Sequence, residues 1–293
     1  MIFDAHVHLC PDGCLDSIIG TKPNPSYQMA HNNPWEKHME EAKKRGIVGS
    51  IIFPLPFSEL TDKEKNDYIL DVSRQHPEFY VPFLLISNKV EDIEPHLSEI
   101  QGIKEHFLLT KTHDIKDFAP IYDLMQQKGL TLTSHPKDHH KVERISQIAE
   151  NFPNLQIILA HAGRGAILTA TGICEEIAPG LKKYPNVSFD TSTIRDHEGL
   201  KKFVNMVGAD RVLFGSDSPF HVAGDDFYSK ELLTVLKMRL SSEEQEKILY
   251  SNAERLVISP WKEKIRQAEK KKQNNVLSPM QIYQYKNNPR RKE

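Results

Sequence analysis

The 293-residue chain has only three cysteines, Cys10, Cys14 and Cys174, too few for a disulfide framework. Its fold must rest on apolar burial, and the scarcity fits a reducing compartment. No apolar run is long enough to span a bilayer. The N-terminus enters a β-branched and aromatic run without a basic region and a long apolar stretch. No secretory leader is therefore expected, and the default location is cytoplasmic. A large net charge is also missing, since 38 Lys/Arg and 40 Asp/Glu leave −2. With 39% hydrophobic and 27% charged residues, the composition is that of an ordinary globular protein with ample material for a core.

The small net charge conceals an asymmetry. Residues 260–293 carry 10 Lys/Arg against 3 acids, whereas the rest of the chain has 28 against 37. A basic end on an acidic body reads as a solvated extension. The acidic body would repel phosphate backbones, so no nucleic-acid partner is expected.

What the chain does have is an unbroken alternation of two patterns. Short apolar runs are predicted as strands at 3–8, 47–53, 79–86, 102–107, 130–135, 155–161, 187–190 and 211–217. Helical stretches are predicted at 35–45, 62–75, 91–101, 118–128, 141–151, 166–183, 196–207 and 227–239, several stopped by glycine. Residues 9–35, rich in Pro, Gly and Asn, read as a long loop. Strands apolar almost throughout and separated by helices argue for a parallel sheet. Eight such units match a (β/α)8 TIM barrel, with a doubly wound open sheet as the alternative. Residues 242–256 read as a helix closing the barrel. The expected organisation is a barrel over 1–258 and a basic C-terminal extension over 259–293.

Polar residues collect where the strands end. His6 and His8, two apart on the first strand, project to one face. His135, His161 and Asp217 each end a later strand, and a barrel gathers its active site at that face. Taken singly, each has a structural reading: a loop start, a carbonyl-bonded histidine, a helix cap. Five such residues on four strands converge, and imidazole with carboxylate is a donor set for divalent ions. Arg164, just past His161, has the guanidinium to clamp a substrate carboxylate or phosphate, or to pair with a surface acid.

Several motifs in this order give the sequence its resemblance to the amidohydrolase superfamily. It resembles the amidohydrolase-2 branch, which is aminocarboxymuconate-semialdehyde decarboxylase-like, over about residues 1–258. The motifs are Asp4-Ala5-His6-Val7-His8, Gly102-Ile103-Lys104, Ser134-His135 and Ala160-His161-Ala162-Gly163. Phe214-Gly215-Ser216-Asp217-Ser218-Pro219 and the closing Asn252-Ala253-Glu254-Arg255-Leu256 complete the set. The resemblance implies one divalent metal ion held by His6, His8, His135 and Asp217. Zinc is expected first, with manganese, iron or cobalt possible. It places His161 beside the ion as an acid/base or orienting group, and proton transfer then falls to Asp217 and His161.

Strand four bears on the metal count, because two-metal relatives use a carboxylated lysine or a glutamate there. Lys104 and His106 share a face and Glu105 points the other way, so Lys104 is expected as a charge inside the barrel. The leading expectation is a metal-dependent hydrolase acting on a small-molecule ester, lactone or amide-type bond. The alternative is non-oxidative decarboxylation of an unsaturated or aromatic carboxylic acid. Lys22 is the single basic residue inside the 9–35 loop, which tilts the choice toward hydrolysis. A homodimer is in keeping with the family.

Overall fold

The computed structural model describes residues 1–12, 14, 28–29, 33–55, 60–106, 114–136, 141–165, 168–221 and 227–275. Most of the 9–35 loop with Lys22, the pair His139 and His140, and the chain beyond 275 lie outside the described residues.

Eight parallel strands pair in the order of the chain. They are β1 (Ile2–Leu9), β2 (Ile47–Pro54), β3 (Tyr80–Leu85), β4 (Gly102–His106), β5 (Thr131–His135), β6 (Gln156–Leu159), β7 (Val187–Asp190) and β8 (Val212–Leu213). The ring is completed by backbone past the end of β8. Ala5 N donates to Phe214 O at 2.9 Å, Asp217 N to His6 O at 2.8 Å and His8 N to Ser218 O at 2.7 Å. The expected (β/α)8 barrel is the fold.

The helices are α1 (Trp35–Lys44), α2 (Asp62–Gln75), α3 (Val90–Ile93), α4 (Ile115–Lys128), α5 (Lys141–Asn151), α6 (Ala178–Leu181), α7 (His197–Val207), α8 (Phe227–Lys237), α9 (Ser242–Glu246) and α10 (Ser259–Asn275). Their ends follow local chemistry. Thr61 and Glu64 make a capping box at the start of α2, and Asp196 caps α7. Gly129, at φ 63, ends α4 in the left-handed conformation that glycine adopts without strain.

Two apolar layers hold the barrel. Outward residues such as Ile52, Leu84, Ile103, Leu132 and Ile157 pack beneath the helices. Inward ones, Phe3, Ala5, Ile51, Phe53, Val81, Phe83, Ile158 and Leu213, form a plug closed from below by Tyr250, Leu256, Val257 and Trp261. Each large side chain buried there contributes about 1.5–3 kcal/mol, which offsets the cost of holding charged groups above it. The plug ends at the level where polar residues begin.

Five elements differ from the sequence pattern, one being the last strand, expected over 211–217 but ending at Leu213, so that Asp217 lies in the turn past it. The helix expected at 91–101 is α3 plus one tight turn, Glu94–His96, because Pro95 has no N–H to continue a helix. The helix expected from 166 begins at Ile173, after Gly172 at φ 80. The sixth strand stops at Leu159, and His161 lies in a turn beyond it. Inside the expected 9–35 loop, Gln28–Met29 pairs antiparallel with Phe220–His221. The closing helix runs on from α9 through wider turns at Lys247–Ser251 and Glu254–Ile258 into α10. Trp261 donates its ring N–H to Pro77 O at 2.9 Å, so the start of α10 is anchored to the barrel. No helix among the described residues is long and apolar enough to cross a membrane.

Candidate metal centre at the barrel mouth

Strand β1 does not run straight under the site. Its register against β2 jumps from Asp4 opposite Ser50 to Val7 opposite Ile52, so three residues answer two. This bulge lets Ala5 join the plug while both His6 and His8 face inward above it. Their ring centroids stand 5.3 Å apart. The Asp4 carboxylate holds the bulge by accepting from His6 N at 3.0 Å and Ser216 N at 2.9 Å. Gly215 is required beside it, because a Cβ there would lie 2.9 Å from His6 Cβ.

The two histidines converge on Asp217. His6 Nε2 is 3.2 Å and His8 Nε2 3.5 Å from the same oxygen, Asp217 Oδ1. Their other nitrogens turn outward to groups that can only accept. His6 Nδ1 donates to Asp190 Oδ2 at 2.8 Å, and His8 Nδ1 to Pro54 O at 3.0 Å. In the neutral rings each Nε2 therefore presents a lone pair toward Asp217 Oδ1, and at His6 the Lys104 ammonium lies 3.3 Å from the same nitrogen. Such a set of donors could hold a cation, and outer hydrogen bonds of this kind orient metal ligands.

His161 belongs to the same cluster. His161, at φ 56, and Ala162, at φ 45, make a left-handed turn that few non-glycine residues adopt. The turn is pinned where His161 N donates to Asp190 Oδ1 at 3.0 Å. Ser192 donates its hydroxyl proton to Asp190, so its oxygen is left to accept from His161 Nδ1 at 2.8 Å. His161 Nε2 thus carries a lone pair as well. Ligand atoms of His6, His161 and Asp217 all lie within 4.8 Å of one another, a spacing suited to holding a metal ion. His135 stands one ring further out, its centroid 4.7 Å from that of His161 and 4.7 Å from that of His106.

Charge and burial set the protonation states. Burial pushes the pKa of His8 down to about 4 and those of His135, His161 and His106 well below the usual value. For His6 burial opposes the charged form, but Asp190 and Asp217 outweigh it and the pKa rises. Burial would raise the Asp217 pKa, yet the neighbouring histidines hold it well below the usual carboxylate range. The wall opposite β1 carries Lys104, fully buried, with Nζ 3.3 Å from His6 Nε2 and 4.3 Å from the Phe53 ring centroid. Burial lowers its pKa to about 8.

Glu105 points out of the barrel. It pairs with Arg144 and accepts from Ser134 Oγ at 2.6 Å and Tyr122 Oη at 3.1 Å. Arg164 stands at the mouth, with Nε donating to Thr193 Oγ1 at 2.9 Å. Its charge depresses the pKa values of both His135 and His161.

The structure therefore gathers His6, His8, His161 and Asp217, sets His135 on the flank and brings Arg164 to the rim. Asp190, the last residue of the strand expected at 187–190, joins the site behind His6 and His161. Asp4 stood in the first-strand motif without a role of its own, and Ser192 had no signal, since a loop serine looks like any other.

Residues 3–257 match the family described as Amidohydrolase. Among solved structures, the chain is similar to a 4-oxalomesaconate hydratase from Rhodopseudomonas palustris at 18% identity and a TM-score of 0.67. That match covers 93% of this chain and 100% of the other. It is similar to a protein from Pseudomonas putida assigned as a 2-pyrone-4,6-dicarboxylic acid hydrolase, at 16% identity and a TM-score of 0.69, over 87% and 96% of the two chains. A 2,6-dihydroxybenzoate decarboxylase bound to 2,6-dihydroxybenzoate matches at 15% identity and a TM-score of 0.63, over 87% and 98%.

Proposed function

The chain belongs to the amidohydrolase family, and from that premise we propose that it is a metal-dependent hydrolase of a small-molecule ester, lactone or amide-type bond. The observation that carries this reading is the convergence of His6 Nε2 and His8 Nε2 on Asp217 Oδ1, with both Nδ1 atoms tied outward. We assign His6, His8, His135 and Asp217 to one divalent ion. Zinc is proposed, and manganese, iron or cobalt would find the same nitrogen and oxygen donors acceptable. A divalent ion bound there supplies Lewis acidity, polarising a carbonyl and making water acidic near neutral pH.

The chain's own groups do the rest. The second oxygen of Asp217, Oδ2, takes the proton from the attacking water and returns it to the leaving group. His161 is held by Ser192 and Asp190 so that Nε2 faces the substrate, where it polarises the carbonyl or shares the proton transfer. Arg164 grips an anionic group on the substrate from the rim. Residues 1–258 form the catalytic unit in this reading, and 259–293 are an extension whose first turn is anchored by Trp261. A homodimer in the cytoplasm is the proposed setting.

One feature favours a second reading, decarboxylation of an unsaturated or aromatic carboxylic acid. The only protein acceptors of Arg164 among the described residues are on Thr193, both reached through Nε, which leaves its terminal nitrogens to a substrate carboxylate. The test is a parallel screen of lactones, esters, amides and aromatic carboxylic acids with zinc-loaded protein. Release of acid from a neutral bond supports hydrolysis, and release of carbon dioxide supports the second reading. Inactivity across all classes with metal bound would reject both.

A further inference from the structure

Behind the metal centre, a chain of buried polar side chains crosses from α1 to the turn that carries Asp217. Tyr80, His38 and Tyr228 are 0, 1 and 2% exposed. Tyr80 Oη donates to Trp35 O at 2.9 Å, which leaves its oxygen to accept from His38 Nδ1 at 3.0 Å. The His38 proton is thereby fixed on Nδ1, and Nε2 becomes an acceptor that the Tyr228 hydroxyl must fill as donor. The Tyr228 oxygen is left to accept from the neighbouring Ser218 hydroxyl, while Ser216 Oγ, also beside it, donates to His6 O at 3.4 Å.

These two serines flank Asp217, whose φ of 63 is left-handed. Ser218 Oγ also accepts from Asn33 Nδ2 at 3.2 Å, and the same amide group donates to His8 O at 2.7 Å. The path therefore has one direction, from Ser218 to the Trp35 carbonyl, and Asn33 and Ser216 tie the Asp217 turn to the backbone of β1 at His8 O and His6 O. Burial holds His38 neutral, so no charge travels along it.

None of these side chains is needed for the proton transfers proposed above. Apolar residues of similar volume would fill the same space without the cost of burying polar groups. What they hold is the turn. We propose that the Tyr228–His38 pair is a positioning device that sets metal affinity, by fixing the Ser216–Asp217–Ser218 turn so that Asp217 Oδ1 meets His6 and His8. This inference rests on the metal-centre reading.

The test is zinc affinity by competition with a chromophoric chelator, on wild type, Tyr228→Phe, His38→Leu and His38→Gln. Ile145→Val, in the fully buried face of α5 away from the turn, serves as a stability control. Tyr228→Phe and His38→Leu are each expected to weaken zinc binding by about 10-fold, as loss of an outer partner does. His38→Gln, which keeps an acceptor for Tyr228, should recover most of that loss. Ile145→Val should lower Tm and leave zinc affinity unchanged. The inference is overturned if Tyr228→Phe binds zinc like wild type, if glutamine at 38 is as poor as leucine, or if zinc affinity falls with Tm in the control. Should Tyr228→Phe not fold, the glutamine–leucine contrast decides. Wild type that takes up no zinc would reject the metal-centre reading itself, and this inference with it.

Discussion

His6 and Asp190, 184 residues apart in the chain, share a 2.8 Å contact in which both side chains are fully buried. The carboxylate decides which His6 nitrogen faces the centre. Asp190→Asn keeps the shape but removes the charge and offers an N–H where His6 needs an acceptor. Metal affinity is expected to fall by about 10- to 100-fold, with the fold retained. Chelator competition measures it, and wild-type affinity would remove Asp190 from the design of the site.

Asp217→Asn should abolish turnover while circular dichroism and Tm stay near wild type. The loss expected from removing a proton-transfer group is about 10²- to 10⁴-fold. Wild-type rates from this variant would sink the assignment.

Elemental analysis should find one equivalent of divalent metal per chain in wild type and none in the His6→Ala/His8→Ala double variant. Two equivalents would bring Lys104 or Glu105 into question, although Glu105 faces Arg144 and Ser134 on the far side of the sheet. Metal lost on His161→Ala would move His161 from proton transfer to the ligand set, as its place within the 4.8 Å group allows.

Acid should destabilise the fold through His38. Burial pushes its pKa down to about 3, so below the unfolded value near 6.5 the unfolded chain binds a proton that the folded chain refuses. The contribution is fully present above about pH 6.5 and is lost as pH falls toward 3, on the order of 3 kcal/mol by pH 4. Urea midpoints between pH 7 and 4 should show a shallower acid limb for His38→Gln than for wild type. Equal limbs would mean that His38 titrates normally.

The parts of this site that follow a period were legible in the sequence. His6 and His8 share a face because strand side chains alternate, and Asp217 follows the apolar run of the last strand, although in the structure it lies in a turn past Leu213. Lys104 and Glu105 fall on opposite faces for the same reason. The bulge over Asp4–Val7 was not legible, since nothing in the residue types marks one extra residue. His161 was placed at a strand end, but Asp190 reaches back 29 residues to pin its backbone in a left-handed turn. Contacts such as Tyr228 with His38, 190 residues apart, leave no local pattern at all. Helix 91–101 failed for a readable reason, since Pro95 was in plain view.

The seam between the first and last strands also bears on the order of events during synthesis. Asp4 and Ser216, bonded across it, are 212 residues apart. A ribosome therefore releases His6 and His8 long before Asp217 exists, and the early strands must wait with two histidines exposed. Closing the ring and completing the centre are one event, among the last that folding accomplishes because its contacts are so distant in the chain. By the same logic, opening of the native barrel at this seam separates His6 and His8 from Asp217.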